Sequence, residues 1–293
     1  MTAALEIRKT DCGEGEVFET FFAGYQQSFT LPDEMEDREG FAACLALNHE
    51  PKHGQLVARF GPFRELCLSL HEADGSVAAG ANLIAFAHGG GPITVNLNYA
   101  YVLPQARGRG HLRCVVDAVA RAARQVFPDV SEDVLVFIEQ NDPLRMSLDD
   151  QRRDAAHSGM DQFERLAIWG RLGARTVDFP YVQPPLSPAH PANDELVLSV
   201  IHAAEATLPA ALLHHHLRGF FGISVAKGGP MPAAAHSQLE LLTAMAQRRE
   251  PVRLIDPMPA LALTRPAIGD WPDFRSFAKA AAAQRPFPRS GRR

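Results

Sequence analysis

The chain has 293 residues, a formal net charge of −5, and 46% hydrophobic and 22% charged residues. This is the balance of an ordinary globular protein, and its acidic charge gives no support to nucleic-acid binding as the main role. No apolar run approaches the roughly 18 residues of a membrane span, and the N-terminus lacks the pattern of a signal peptide. The four cysteines form no CxxC pair, which predicts free thiols in a reducing compartment. We therefore expect a cytoplasmic protein.

The residues before 93 predict a strand, two helices and a hairpin. The strand is expected at residues 4–9, and the helices at 15–29 and 41–47, the second ending before Pro51. The first helix carries an aromatic face, which indicates core packing or the wall of an apolar pocket. Strands at about 64–72 and 77–87 should follow, joined by a turn that contains Asp74-Gly75.

The central stretch, residues 93–127, predicts a strand, a loop and a helix. Residues 93–103 alternate without interruption, which predicts one strand face formed by Ile93, Val95, Leu97, Tyr99, Tyr101 and Leu103. Pro104 removes a ladder donor and should end the strand. From Leu112 to Val126 the apolar residues follow a helical period, so an amphipathic helix is expected there.

The loop between this strand and helix is suited to bind an anion. Glycines allow a close approach of the backbone, a helix N-terminus leaves N–H groups unpaired, and Arg107 and Arg109 add positive charge. The loop lacks the Lys-Ser or Lys-Thr of a P-loop, and Arg113 stands where a dinucleotide fingerprint needs its third glycine. We therefore predict a site for phosphate, and best for pyrophosphate.

The pattern that remains is Gln105-x-x-Gly108-x-Gly110, after a strand and before an amphipathic helix. It resembles the acyl-CoA-binding motif of the GNAT superfamily of N-acyltransferases, and the order of the predicted elements agrees with the first half of that fold. The resemblance implies an α/β protein with a mixed, mostly antiparallel sheet flanked by helices. It also implies acetyl-CoA, or another short acyl-CoA, as co-substrate.

The resemblance further implies where coenzyme A lies. Residues 134–141, a continuous apolar run, would form a strand beside the central one, and the pantetheine arm would lie where the two strands splay apart. The thioester carbonyl would meet a backbone N–H near Tyr99 to Val102. The predicted cofactor-binding residues are Val102, Leu103, Gln105, Ala106, Arg107, Gly108, Arg109, Gly110, His111, Leu112 and Asn141.

Amine acylation requires a base, because a protonated amine is not a nucleophile. Glu139 is the only carboxylate on the two central strands and is the candidate base, with a solvated strand-end acid as the alternative interpretation. Asn96 and Asn98 share a strand face and could orient the acceptor. These three residues form the predicted centre of the acceptor site.

The general acid is not assigned by the resemblance. In the family's last conserved helix, predicted here at residues 163–174, Trp169 stands where many members have a tyrosine that protonates the departing thiolate. Tyr99, Tyr101 and Tyr181 are substitutes by chemistry alone, and hydrogen bonding in the core is the alternative for each. The missing tyrosine also favours the alternative function, a non-catalytic acyl-CoA sensor or interaction module on the same fold.

The polar segment 142–162 carries several acids, including Asp149, Asp150 and Asp154. It could be a solvated surface helix or loop, or a lid whose carboxylates attract a cationic amine. The expected acceptor is a small-molecule or peptide amine, with neither nucleic acid nor membrane as a partner.

The remaining chain predicts the end of the domain and an extension. Strands at 175–184 and 195–202 would complete a GNAT-like domain over residues 1–203. Residues 204–293 would form a helical extension, with helices at 209–221, 233–248 and 274–284, a proline-broken extended segment at 251–272 and a flexible basic tail from about 285. The extension should pack on the core or on a second subunit in a homodimer. His214, His215 and His216 are consecutive and splay too widely to share a metal ion, so no metal site is predicted.

Overall fold

The computed structural model describes residues 5–29, 35–185 and 191–283, and over these ranges the chain folds into a mixed α/β structure around one sheet. The strands are β1 (Glu6–Thr10), β2 (Phe63–His71), β3 (Val77–Phe86), β4 (Ile93–Val102), β5 (Val134–Asn141), β6 (Arg175–Val177), β7 (Leu196–Ile201), β8 (Thr207–Pro209) and β9 (Pro251–Ile255). The helices are α1 (Glu16–Ser28), α2 (Arg38–Ala46), α3 (Lys52–Phe60), α4 (His111–Val126), α5 (Leu148–Ser158), α6 (Gln162–Arg171), α7 (Ala210–Phe220), α8 (Ala233–Gln247), α9 (Met258–Leu261) and α10 (Phe274–Ala283).

The sheet has the strand order β1-β2-β3-β4-β5-β7-β6-β9-β8. Its centre is the parallel pair of β4 and β5, and the other paired strands of the described chain are antiparallel. Parallel neighbours need a crossover connection, and α4 provides it. The mostly antiparallel α/β sheet predicted from the sequence is therefore confirmed.

Different helices cover the two faces of the sheet. On one face α4 packs against aliphatic side chains of β2 to β5. On the other face an aromatic cluster under α1 and α2 covers one part, and a larger cluster under α7 and α8 covers the rest. Because both faces are buried over the central strands, a polar side chain that points to either face is taken out of bulk water and needs a partner.

The predicted order of the first elements is wrong in one respect, because a third helix, α3, precedes β2. Pro51 lies at its N-cap, where a missing N–H costs nothing, so the proline begins a helix rather than only ending one. The strand predicted at 175–184 is also wrong in length. It is limited to Arg175–Val177, since Pro180 and Pro184 offer no ladder donors, and Gln183 forms only an isolated bridge with Asn193.

Residues beyond 203 take part in the sheet as well as in helices. β9 pairs with β6 and β8, and its Val252 and Leu254 are buried in the cluster under α7 and α8. The segment predicted as extended at 251–272 thus contains a strand and the short helix α9. A domain boundary near residue 203 stays a prediction, and the tail predicted from about 285 lies outside the described residues.

The cysteines and the helices bear on two further expectations. All four cysteines are free thiols, as predicted, and Cys44 and Cys67 are buried. Within the described ranges, every helix is too short or too polar to traverse a lipid bilayer.

Candidate functional site

A β-bulge interrupts β4 near its middle. In the ladder with β3, Asn82 pairs with Tyr99 and Leu83 pairs with Leu97, which leaves Asn98 as an extra residue. The bulge reverses the side-chain alternation, so the aliphatic residues before it face α4 and the tyrosines after it face α1. The uninterrupted alternation predicted for this strand is therefore wrong beyond the bulge. The reversal escapes sequence reasoning because a tyrosine is compatible with either buried face.

Beyond the bulge β4 and β5 separate, and a cavity of about 730 Å³ reaches into the gap. Ladder pairs join Ile93–Asn96 to residues 134–137, although both strands continue. The separated halves, residues 97–102 of β4 and 138–141 of β5, line the cavity. A ligand with amide groups can take up the hydrogen bonds that these two strands no longer make with each other.

The loop between β4 and α4 lies at this cavity and contains two left-handed glycines. Gly108 has φ 77° and Gly110 has φ 79°, a conformation that costs glycine little. Gly110 is the N-cap of α4, and no side chain of the described residues caps the helix. The first N–H groups of α4 are therefore available to a ligand, and the helix dipole makes that ligand an anion.

The two arginines of the loop are held by neighbouring groups. Arg109 donates to the Glu72 carboxylate at 2.7 Å and to the Gln105 carbonyl at 3.1 Å. Arg107, which lines the cavity, donates to the Val102 carbonyl at 3.2 Å. Since the charge of Arg109 is already paired, the backbone N–H groups should contribute more to an anion site than this guanidinium does.

The predicted cofactor-binding residues divide into two groups in the structure. Those that line the cavity are Val102, Arg107, Gly108, Gly110, His111, Leu112 and Asn141. Leu103, Gln105, Ala106 and Arg109 belong to the same segment but do not line the cavity; Leu103 and Ala106 are buried, and Gln105 and Arg109 are exposed.

Glu139 lies on β5 where β5 has left β4, and it borders the cavity. Its carboxylate accepts hydrogen bonds from the Tyr181 hydroxyl and from Gln183 Nε2, the second at 3.1 Å. Burial raises the pKa of Glu139, and hydrogen bonds from Tyr181, Asn96 and Gln183 oppose this rise. A partly buried carboxylate with a raised pKa at the edge of a cavity is suited to accept a proton from a bound group.

The two tyrosines predicted on β4 have different surroundings. The Tyr101 hydroxyl donates to the Phe21 carbonyl at 2.8 Å, and its ring fills the space beside Gly24 and Gly80. A Cβ atom at either glycine would come within 2.4 Å of that hydroxyl, so the ring is fixed in the core. Tyr99 lines the cavity in a half-buried position, and burial raises the pKa of its hydroxyl. Tyr99 is therefore the better placed proton donor of the two.

A chain of polar side chains crosses the buried face of the sheet. The Asn96 amide donates to Asn98 at 2.9 Å, Asn98 donates to Asn82 at 2.7 Å, and Asn82 donates to Glu65 at 3.1 Å. Glu65 is 2% exposed, and burial raises its pKa to about 7. Asn96 also lowers the pKa of Glu139, so the chain extends from the Glu65 carboxyl group on β2 toward that of Glu139 on β5.

Sequence reasoning placed Asn96 and Asn98 at the acceptor site but missed Glu65 and Asn82. In β2, Glu65 alternates with leucines that face α4, a pattern that normally indicates a solvated strand face. In the structure the face of β2 that carries Glu65 is covered, in part by residues far along the chain. The available signal was Asn82, a polar residue inside the long apolar strand β3.

The polar segment 142–162 contains α5, and Asp154 and His157 border the cavity. The acids proposed to steer a cation are paired, with Asp149 at 3.2 Å from Arg152 and Asp150 at 2.8 Å from Arg153. Asp154 is buried and accepts hydrogen bonds from Gln162 and Arg165. These pairings leave little net charge to attract a cationic acceptor, so α5 contributes part of the cavity wall rather than an electrostatic field.

The histidines at 214–216 do not converge on one point. His216 is fully buried and stacks on Phe137 with ring centroids 4.0 Å apart, whereas the His215 ring lies 5.6 Å from His88. Among the described residues, the side chains close enough to share a metal ion are Asp11, Cys12 and His49, which lie outside the cavity.

Comparison with known protein families finds no model that matches this chain, and no curated protein matches it either. Solved structures do resemble it. A ribosomal-protein-S18-alanine N-acetyltransferase from Escherichia coli is 13% identical with a TM-score of 0.36, and the match covers 69% of this chain and 96% of that chain.

Two Bacillus proteins are similar to this chain at the same level of identity. An IAA acetyltransferase from Bacillus cereus is 13% identical with a TM-score of 0.31, over 68% of this chain and 100% of that chain. An acetyltransferase from Bacillus subtilis, in complex with CoA, is 13% identical with a TM-score of 0.32, over 68% of this chain and 99% of that chain.

Proposed function

We propose that this protein is an acyl-CoA-dependent N-acyltransferase, which moves an acetyl or other short acyl group to an amine of a small molecule or peptide. The observation that carries the proposal is the cavity between the separated halves of β4 and β5, with the uncapped N-terminus of α4 beside it. It combines an anion site with two free strand edges. A ligand that joins a pyrophosphate to an extended, amide-bearing arm matches both features, and coenzyme A is such a ligand.

In this proposal the pyrophosphate binds the N–H groups of the loop that ends at Leu112, and Arg107 adds charge at the cavity wall. Gly108 and Gly110 supply the left-handed turns that bring the backbone to the phosphates. The pantetheine amides pair with the freed edge of β4 near Val102 and with Asn141 on β5. The thioester then lies at the bulge, close to Glu139.

Glu139 is the proposed general base. It takes a proton from the ammonium group of the acceptor, directly or through water, and the freed nitrogen lone pair attacks the thioester carbonyl. The C–N bond forms, the C–S bond breaks with its electron pair on sulfur, and the leaving thiolate takes up a proton from a donor that the second proton of the attacking nitrogen then restores. Tyr99 is the proposed donor of that proton, because it lines the cavity in a half-buried position, whereas the Tyr101 ring is fixed in the core beside Gly24 and Gly80.

Acetyl-CoA consumption in the presence of a panel of amines, followed by release of free thiol, tests this function. We expect thiol release that requires both the protein and an amine. A protein that binds CoA and releases no thiol with any amine would instead be a non-catalytic acyl-CoA sensor. Trp169, which lines the cavity and carries no titratable proton, is the feature that favours the sensor.

A further inference from the structure

Apart from Tyr99, one part of the cavity lining has no role in the proposed CoA chemistry. We call it the inner chamber and define it by Ser28 of α1, Phe41 of α2, Glu65 of β2, Tyr99 of β4 and Ser224, all of which line the cavity. Ser224 belongs to a π-helical turn, residues 221–225, that follows α7. Such turns are rare and occur often at functional sites. The C-terminal part of the chain therefore supplies one wall of this chamber.

Three oxygen atoms of the inner chamber have no hydrogen-bond partner among the residues that the structure describes. They are Glu65 Oε2, Ser28 Oγ and Ser224 Oγ, and each is shielded from solvent. More than nine in ten buried polar groups in folded proteins are hydrogen-bonded, so a ligand that supplies donors here would satisfy three oxygens that the described residues leave unpaired.

The Glu65 carboxyl group is fixed in place with one oxygen left open. Asn82 Nδ2 donates to its Oε1 at 3.1 Å, and the Asn48 amide bonds to the Glu65 backbone at 2.8 and 2.9 Å. The side chain is 2% exposed, so it cannot turn to bulk water for its second oxygen. Glu65 is therefore a preorganised acceptor that belongs to the cavity lining.

The surroundings of Glu65 favour a cation over a neutral donor. The rings of Phe41 and Tyr99 have centroids 5.5 Å apart and both line the cavity, and aromatic faces attract cations. Glu36 is a second acid in the lining. Of the other titratable groups that act on Glu65, Lys227 is exposed and lowers its pKa, and the thiols of Cys44 and Cys67 are held neutral by burial.

We propose that the inner chamber binds a second cationic nitrogen of the acceptor, an ammonium group whose three N–H donors go to Glu65, Ser28 and Ser224. An ammonium group has three donors and no acceptor, which matches the three unpaired oxygens. The acceptor class is then a diamine, or an amine that carries a remote ammonium group. This inference rests on the proposed acyl transfer for its meaning, but it concerns residues other than those that bind CoA.

The distance between the two nitrogens follows from the sheet. Neighbouring strands lie about 4.8 Å apart, and Glu65 on β2 is two strands from the bulge of β4, so the two nitrogens should lie roughly 10 Å apart or slightly less. A series of linear α,ω-diamines brackets this distance. The n-alkylamines of equal length have the same reactive nitrogen and lack the second charge, so each serves as the matched control ligand.

The test is calorimetric titration of these diamines and alkylamines into the full-length protein, with and without CoA. We expect the best diamine to bind on the order of tenfold to a hundredfold more tightly than its alkylamine. Glu65→Gln should remove this preference and leave alkylamine affinity unchanged. The matched control is Glu36→Gln, which removes the same charge from a less buried position of the same cavity and should keep most of the preference.

Equal affinity of the wild-type protein for diamine and alkylamine would overturn the inference. A preference for the diamine that survives Glu65→Gln would also overturn it, and so would a preference that Glu36→Gln removes to the same extent as Glu65→Gln. If Glu65→Gln does not fold, Ser224→Ala should still reduce the preference severalfold, and no reduction would count against the chamber. This test measures amine binding and not turnover. A protein that fails to acylate amines, or to bind CoA, would contradict the proposed function but would leave the outcome of this binding test unchanged.

Discussion

The hydrogen bond from Tyr181 to Glu139 offers a specific test of the proposed base. Tyr181→Phe removes this donor and keeps the ring, which is buried in the cluster under α7. The hydrogen bond favours the ionised carboxylate and lowers the pKa of Glu139, so its loss must raise that pKa. A protonated carboxyl group cannot act as a base, so a higher pKa means that activity is lost at a higher pH. The acid limb of the kcat–pH profile of Tyr181→Phe should therefore move to higher pH.

The size of the shift can be estimated. A hydrogen bond to a charged group contributes about 1.5–3 kcal/mol, and 1.36 kcal/mol corresponds to one pKa unit, so the limb should move by about one to two pH units. Gln183 still donates to the carboxylate and Asn96 still lowers its pKa, which places the expected value toward the lower end. Glu139→Gln, which removes the base itself, should lower kcat by about 10²–10⁴-fold.

The assay is thiol release at saturating acetyl-CoA and amine, followed as a function of pH. Ser199→Ala is the matched control. It removes a buried hydroxyl on β7 opposite Ile138, one strand from Glu139, and this hydroxyl bonds to Gln140. We expect the control to keep the wild-type limb. Identical profiles for Tyr181→Phe and the wild type would refute Glu139 as the titrating base, and wild-type turnover in Glu139→Gln would assign the residue to structure.

Two other substitutions test the core and the loop. His216 is fully buried with neither ring nitrogen hydrogen-bonded to a described residue, and burial holds its pKa well below the usual value. Below about pH 6.5 the unfolded chain therefore binds a proton that the folded chain does not, so the free energy of unfolding of the wild type falls as pH falls. His216→Phe should remove this pH dependence, so the gain in its free energy of urea unfolding over the wild type should be larger at pH 5 than at pH 7. A difference that is the same at both pH values would contradict the reasoning. Arg109→Ala should weaken CoA binding by at most about fivefold in calorimetry. Arg109 is exposed and already paired with Glu72, and an exposed ion pair contributes only about 0–1 kcal/mol. A hundredfold loss of affinity would show that the arginine and not the backbone forms the anion site.

The elements that the sequence predicted well are those whose signals are local. The change from a period of two to a helical period at Leu112, with Gly110 before it, located β4, the loop and α4 to within one or two residues. β5 was predicted with its observed limits, since its apolar run is bounded on both sides by polar turns. Patterns of this kind depend on backbone geometry that neighbouring residues determine.

The features that were missed depend on contacts between distant parts of the chain. The bulge at Asn98 follows from the register with β3, which the residues of β4 alone do not specify. Glu65 looks solvated in the sequence because its burial depends on covering segments such as the turn at Ser224, about 160 residues later. Likewise, the pairing of β9 with β6 joins segments whose separate patterns are weak.

Calorimetric titration of coenzyme A tests the central claim, that the gap between β4 and β5 and the N-terminus of α4 form an acyl-CoA site. We predict that the wild-type protein binds CoA and dephospho-CoA, since both carry the pyrophosphate. Gly110→Glu should abolish binding, because the side chain fills the approach to the N–H groups and adds a like charge. The control is Gly90→Glu, which places the same residue at a left-handed glycine, φ 76°, in the loop before β4, and it should bind as the wild type does. If Gly110→Glu binds CoA with an affinity near that of the wild type, the proposed site and the acyltransferase function that depends on it are contradicted.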